Sequence, residues 1–135
     1  MNKNSKVLYS ETLIQICLLI ISFMCLYIGL HRLYSGGSNV PISIDNSLRF
    51  YAGSFIAIGF LAIWTSITIR KQHTLIFFFA FFIFMGGLGR LISIMNIGLP
   101  DNMYLVYLTV EFSLPLIMIV TKIYLNKEES YMSNL

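Results

Sequence analysis

The chain has 135 residues, of which 57% are hydrophobic and 11% charged, with nine basic and six acidic residues for a net charge of +3. A water-facing surface needs far more charge than that, and the apolar residues come in long blocks rather than in the amphipathic stripes of a soluble helix. The basic residues are few and scattered, with no basic helix or aromatic–basic motif to follow a phosphate backbone, which argues against nucleic-acid binding and suits topology signals and contacts to anionic headgroups.

Crossing the ~30 Å hydrocarbon layer takes about 20 mostly apolar residues, and four segments meet that requirement. The first predicted helix covers 9–33, with Glu11 at its interfacial start. It follows Lys3 and Lys6, as the core of a signal peptide would. It is longer than such a core and has no small-x-small site before His31, so it reads as a retained span. Cys17 and Cys25 lie on this one helix about 12 Å apart along its axis, too far for a disulfide. With no CxxC and no nearby histidine, they read as buried apolar filler.

The connection 34–47 holds Gly36-Gly37-Ser38-Asn39 and Pro41, all turn or breaker residues. Asn46 or Ser47 offers an N-cap for a second helix over 48–69. Arg70-Lys71-Gln72-His73 forms a tight polar turn. The third helix, 74–95, opens on Phe77, Phe78, Phe79, Phe81, Phe82 and Phe84, which suit lipid or a neighbouring subunit, and continues through Gly86-Gly87-Leu88-Gly89-Arg90. The turn Asn96-Ile97-Gly98-Leu99-Pro100-Asp101 leads to a fourth helix over 103–125, and a polar tail, 126–135, is expected to be mobile.

The expected fold class is therefore all-α: a polytopic membrane protein with one transmembrane domain, 1–135, built as an antiparallel bundle of four spans. The side shared by the termini and the second connection carries Lys3, Lys6, Arg70, Lys71, Lys122 and Lys127. The other side carries Arg32, Arg49 and Arg90. Positive charge stays inside, so both termini are expected in the cytoplasm.

Arg49, Arg90 and Glu111 need an account. Arg90 falls about 9 Å and Glu111 about 13 Å inside the outer ends of their helices. Leaving either charge unpaired in lipid costs at least about 2.5–3.5 kcal/mol. Side chains lean toward the N-terminus of their own helix, so on antiparallel neighbours Arg90 and Glu111 lean toward each other, and a salt bridge is expected. Arg49, at the start of its helix, leans to the headgroups, toward Asp45, Asp101 or a lipid phosphate, and its long side chain also reaches far enough to join the inner cluster. The interior is expected to be apolar through its cytoplasmic half and ionised through its outer half.

The neighbours of these charges share their faces. Arg49, Gly53 and Ala57 form a small-residue stripe suited to close packing. Gly86, Arg90 and Ser93 share one face of the third helix, with Gly89 adjoining, and Tyr104, Tyr107 and Glu111 line the fourth. Pro115 has no N–H for the carbonyl of residue 111, so a bend is expected there. Tyr27, His31 and Tyr34 share the outer end of the first helix. The polar set Arg49, Arg90, Glu111, Ser93, Tyr107 and His31 is the candidate site for a ligand, a lipid or a proton. A purely structural reading stays open, in which the Arg–Glu pair fixes helix register and the glycines pack. His31 and His73 fall on opposite faces and share no metal, and neither a serine–base pair nor a phosphate loop is present. No cofactor, metal or enzymatic activity is expected.

With these motifs in place, the chain resembles a bacterial inner-membrane family catalogued as domain of unknown function 4345. The resemblance rests on Asn46-Ser47-Leu48-Arg49 followed by Gly53, on Gly89-Arg90-Leu91-Ile92-Ser93, on Gly98 with Pro100, and on Glu111, and it covers residues 10–125. It implies a four-helix membrane protein of bacterial origin with Arg49, Arg90 and Glu111 at the family's polar positions, and it supplies no activity. Ala52 before Gly53 departs from the glycine-like residue expected there.

The function expected on these grounds is that of a non-enzymatic inner-membrane protein. It would form a homo-oligomer, with a trimer as the expected stoichiometry, that binds membrane lipid and supports envelope integrity or permeability. Two alternatives stand beside it: a small proton-coupled exporter using Glu111, and an accessory subunit of a larger membrane complex.

Overall fold

The computed structural model describes residues 3–37 and 40–133. Ser38 and Asn39 of the first connection, and the last two residues of the tail, lie outside the described residues. Four helices follow one another, α1 (Lys3–Ser35), α2 (Ile42–Ile67), α3 (His73–Ile97) and α4 (Asn102–Ser133), with a 3-10 turn at Ile69–Lys71. The fold is all-α, with no strand among the described residues. Each helix contains a stretch of 25 to 31 residues long and apolar enough to cross a membrane. The chain is thus a multi-pass membrane protein.

Two boundaries move. The start of α2 lies before the expected Asn46 or Ser47 cap, because Pro41 at φ −55° and ψ 148° already stands at the cap position. Its carbonyl accepts from the N–H groups of Ile44 and Asp45 at 2.9 and 3.1 Å. Ser47 instead donates its hydroxyl to Ser43 O at 3.0 Å. The first connection shrinks accordingly. Gly36 closes α1 in the left-handed region, φ 58°, its N–H bonded to Arg32 O at 2.9 Å, as a C-terminal glycine does. At the other end of the chain, the expected polar tail is helical through Ser133. Beyond Pro115 no proline or glycine interrupts it, and residues such as Lys127 and Glu128 are good helix formers.

The helices form two compact groups. In the first, Gln15–Thr68, α1 and α2 run antiparallel. Gln15 Nε2 donates to Ser66 O at 3.0 Å, and Gly59 and Gly29 sit against Leu26 and Ile56 respectively. A Cβ on Gly29 would lie 2.9 Å from Ala52 O and 2.8 Å from Ile56 Cγ1. The expected stripe of Gly53 and Ala57 makes no close approach inside this group. Both residues are exposed, and a Cβ on Gly53 would meet nothing within 4 Å among the described residues. The close approaches fall instead on Gly29 and Gly59.

In the second group, α1 up to Ile14 belongs with α3 and α4. Here α3 and α4 run antiparallel, with Phe84 edge-on to Phe112 at 5.4 Å between ring centroids and Ile76, Ala80 and Met118 fully enclosed. Between Phe77 and Phe84 the phenylalanines are largely exposed, Phe79 alone being buried, as suits a face turned to lipid or to another subunit.

The contrast between glycines is testable. Gly29→Ala is expected to lower stability in detergent by about 1–3 kcal/mol, the usual cost of overpacking, while Gly53→Ala is neutral or slightly stabilising. Thermal unfolding of the two variants checks it, and equal midpoints would contradict the packing described.

Candidate functional site

The pair expected from side-chain direction is present. Arg90 Nε donates to Glu111 Oε1 at 2.9 Å, with the two side chains 32% and 14% exposed. The guanidinium carbon of Arg90 also lies 5.7 Å from the Tyr104 ring centroid and 5.5 Å from that of Tyr107. Those rings meet edge-to-face at 6.2 Å. Aromatic faces attract a cation that is partly removed from water, so α4 holds Arg90 by one carboxylate and two rings.

Room for Glu111 comes from missing side chains on α3. A Cβ on Gly87 would stand 3.2 Å from Glu111 Cβ and 3.3 Å from Phe112 Cε2, whereas one on Gly86 would be 3.8 Å from Glu111 Oε1. Gly87, which was not singled out from the sequence, is thus the tight contact. Gly89, expected to pack, is exposed and has nothing within 4 Å among the described residues.

Two features leave this pair chemically incomplete. Glu111 Oε2 is buried with no hydrogen-bond partner among the described residues. The terminal guanidinium nitrogens of Arg90 likewise have none there, Nε being its hydrogen-bonded atom. Arg90, Ser93 and Tyr104 line an open cleft of about 350 Å³ with Ile94, Ile97, Leu99 and Pro100. Cationic donors at one point and apolar walls around it suit an amphiphile.

Arg49 and His31 belong to the α1–α2 group and close their contacts within it. Arg49 Nε donates to Asp45 Oδ2 at 2.9 Å and Nη1 to Leu33 O at 2.6 Å. Asp45 Oδ1 in turn accepts from the Gly37 N–H at 2.8 Å. This arginine ties the end of α1 to the start of α2, and Asp45 is the expected partner it uses. His31 is exposed and stacks on Tyr27 at 6.2 Å, which stacks on Phe23 at 6.3 Å.

The expected asymmetry, ionised at one half and apolar through the other, does not hold. Glu11, taken as interfacial, is 6% exposed and accepts two hydrogen bonds from Arg70, Nε to Oε1 at 2.9 Å and Nη2 to Oε2 at 3.0 Å. Lys122, counted as a topology charge, is 1% exposed, with its Nζ 2.6 Å from His73 Nδ1. From position 73 to position 90 is 17 residues of α3, or about 25 Å. The α3–α4 group thus carries an ionic cluster at each end of an apolar band nearly as thick as a bilayer's hydrocarbon core. The signal was available: Glu11, Ile14, Leu18, Ile21 and Cys25 recur at alternating three- and four-residue steps and are all buried, so Glu11 heads the buried stripe of α1.

Four apolar spans with paired charges at both ends of an apolar band define a multi-pass helical membrane protein. The chain belongs to the family described as domain of unknown function (DUF4345), whose family model matches residues 13–121. The sequence matches no curated protein and no solved structure.

If Arg90 and Glu111 act as one unit, breaking it from either side costs more than removing it. Arg90→Ala is expected to destabilise by roughly 3 kcal/mol because it leaves a buried carboxylate unpaired. The double variant Arg90→Ala/Glu111→Ala should recover at least half of that loss. A double-mutant cycle on unfolding in detergent measures it, and simple additivity would sink the coupling.

Proposed function

We propose that this protein is a non-enzymatic, lipid-binding component of the bacterial inner membrane that supports envelope integrity or permeability. The observation carrying the proposal is the unfilled donor set of Arg90 at the mouth of an amphiphilic cleft. An anionic headgroup oxygen would accept from the terminal guanidinium nitrogens, Ser93 would supply a hydroxyl, and Ile94, Ile97 and Leu99 would receive the start of an acyl chain. Both termini face the cytoplasm on this reading, following the six basic residues on their side against three on the other.

The protein works as a homo-oligomer, with a trimer proposed. Support comes from small and aromatic residues that the single chain leaves exposed, Gly53, Ala57 and Gly89 together with Phe78 and Phe81. Small residues let helices of separate subunits approach closely in lipid. A second reading, proton-coupled export, draws on the unpartnered Oε2 of Glu111.

Native mass spectrometry on protein released from phosphatidylglycerol-containing nanodiscs tests both. Wild type should retain that lipid on an oligomer, and Arg90→Ala should lose it. Equal retention by the variant would remove the lipid reading. The export reading stands only if Glu111→Gln abolishes proton-gradient-dependent flux in vesicles.

A further inference from the structure

We propose that the headgroup taken up at Arg90 is a phosphoethanolamine, its phosphate accepting from the Arg90 guanidinium and its ammonium set against Asp101. This selectivity rests on the lipid reading above and adds to it which lipid the cleft prefers.

Charge carries the argument. From Gly86 to Glu111, the stretch that closes α3 and opens α4, the charged residues are Arg90, Asp101 and Glu111. One positive charge stands against two negative ones, so this end of the α3–α4 group is formally negative. The positive charge is already claimed by Glu111, which accepts from Arg90 Nε at 2.9 Å and whose other oxygen has no partner among the described residues. Asp101 is therefore the surplus carboxylate.

Its lack of a partner sets it apart. Asp45, Glu11 and Glu111 each hold an arginine, at 2.9 Å in every case. The Asp101 side chain has no hydrogen bond or ion pair among the described residues. Asp101 is exposed and lies in the turn between two spans, where lipid headgroups begin. Pro100 and Tyr104, which bracket it in sequence, both line the Arg90 cleft. The Asp101 carbonyl accepts from the Tyr104 N–H at 2.9 Å, so the residue stands at the amino end of α4. That end contributes about half a positive charge, too little to cancel a carboxylate.

A ligand has to suit both residues. The terminal nitrogens of Arg90 need an acceptor, which any lipid phosphate supplies. Phosphatidylglycerol brings that phosphate without a cation and adds negative charge to an end that is already negative. Phosphatidylethanolamine adds no net charge. Its ammonium, an ethylene unit beyond the phosphate, has three N–H donors as a lysine ammonium has, and Asp101 is the acceptor left for them. Phosphatidylcholine carries the same charge but no N–H, so it cannot hydrogen-bond the carboxylate.

The test reconstitutes the full-length protein in nanodiscs with equal amounts of phosphatidylethanolamine, phosphatidylglycerol and phosphatidylcholine of matched acyl chains. Native mass spectrometry then identifies the lipid retained on release. Wild type is expected to hold phosphatidylethanolamine about fivefold over phosphatidylglycerol, the effect of one charge near a membrane surface, and to prefer it to phosphatidylcholine. Asp101→Asn removes the surplus charge and should bring the ethanolamine-to-glycerol ratio close to one, with circular dichroism and elution profile checking that the variant folds. Phosphatidylglycerol offered alone still presents a phosphate to Arg90, so its loss in Arg90→Ala tests the lipid reading itself. Equal retention of phosphatidylethanolamine and phosphatidylglycerol by wild type, with Arg90→Ala losing both, overturns the selectivity and leaves that reading intact. Retention of all three lipids by Arg90→Ala removes both. A ratio unchanged in Asp101→Asn, or phosphatidylcholine held as well as phosphatidylethanolamine, also overturns the selectivity, since no ammonium would then be donating to Asp101.

Discussion

An ionised side chain placed against hydrocarbon must find a counter-charge or a hydrogen bond, because water is not there to provide one. In the α3–α4 group that constraint is met at both ends. Arg90 pairs with Glu111 at one; at the other, Glu11 pairs with Arg70 and Lys122 contacts His73. Each contact joins residues far apart in sequence, so each fixes a register. The Arg90–Glu111 and His73–Lys122 contacts lie along the same pair of antiparallel helices and hold α3 against α4 at two heights. Glu11 with Arg70 brings the first turns of α1 into the same group. A slip of one residue between α3 and α4 would rotate a helix by about 100° and leave charges facing lipid.

Apolar side chains supply little of that specificity. Lipid tails are as apolar as leucine, so helices in a membrane gain from close packing and hydrogen bonds rather than from leaving water. The α1–α2 pair shows the consequence. Its contacts are made where a glycine admits a neighbour, Gly29 against Ala52 and Ile56 and Gly59 against Leu26, and where Gln15 reaches the Ser66 carbonyl. Gly53, by contrast, presents its bare backbone outward. Glycine in a membrane helix therefore has two uses in this chain, and spacing alone does not separate them.

The candidate site follows from the same physics. An arginine has five donors and Glu111 occupies one of them, which leaves Arg90 able to hold its helix partner and a headgroup at once. Tyr104 and Tyr107 keep the guanidinium in place from the side without using those donors.

Much of this was legible in the amino-acid order. Four apolar spans, the polar turns between them and the Arg90–Glu111 contact follow from hydropathy length and from the direction in which helical side chains lean, both local properties of the chain. What stayed hidden depended on rotation about each helix axis. Whether Glu11 faced a headgroup or the interior, whether Lys122 was a surface charge or a buried one, and which glycines met a neighbour are all decided by the angle at which an almost uniformly apolar helix presents itself. With apolar residues on every side, such a helix carries little periodicity to reveal that angle. Only the tertiary structure set it, because the angle is chosen by partner residues on other helices that satisfy charges and admit backbone contact.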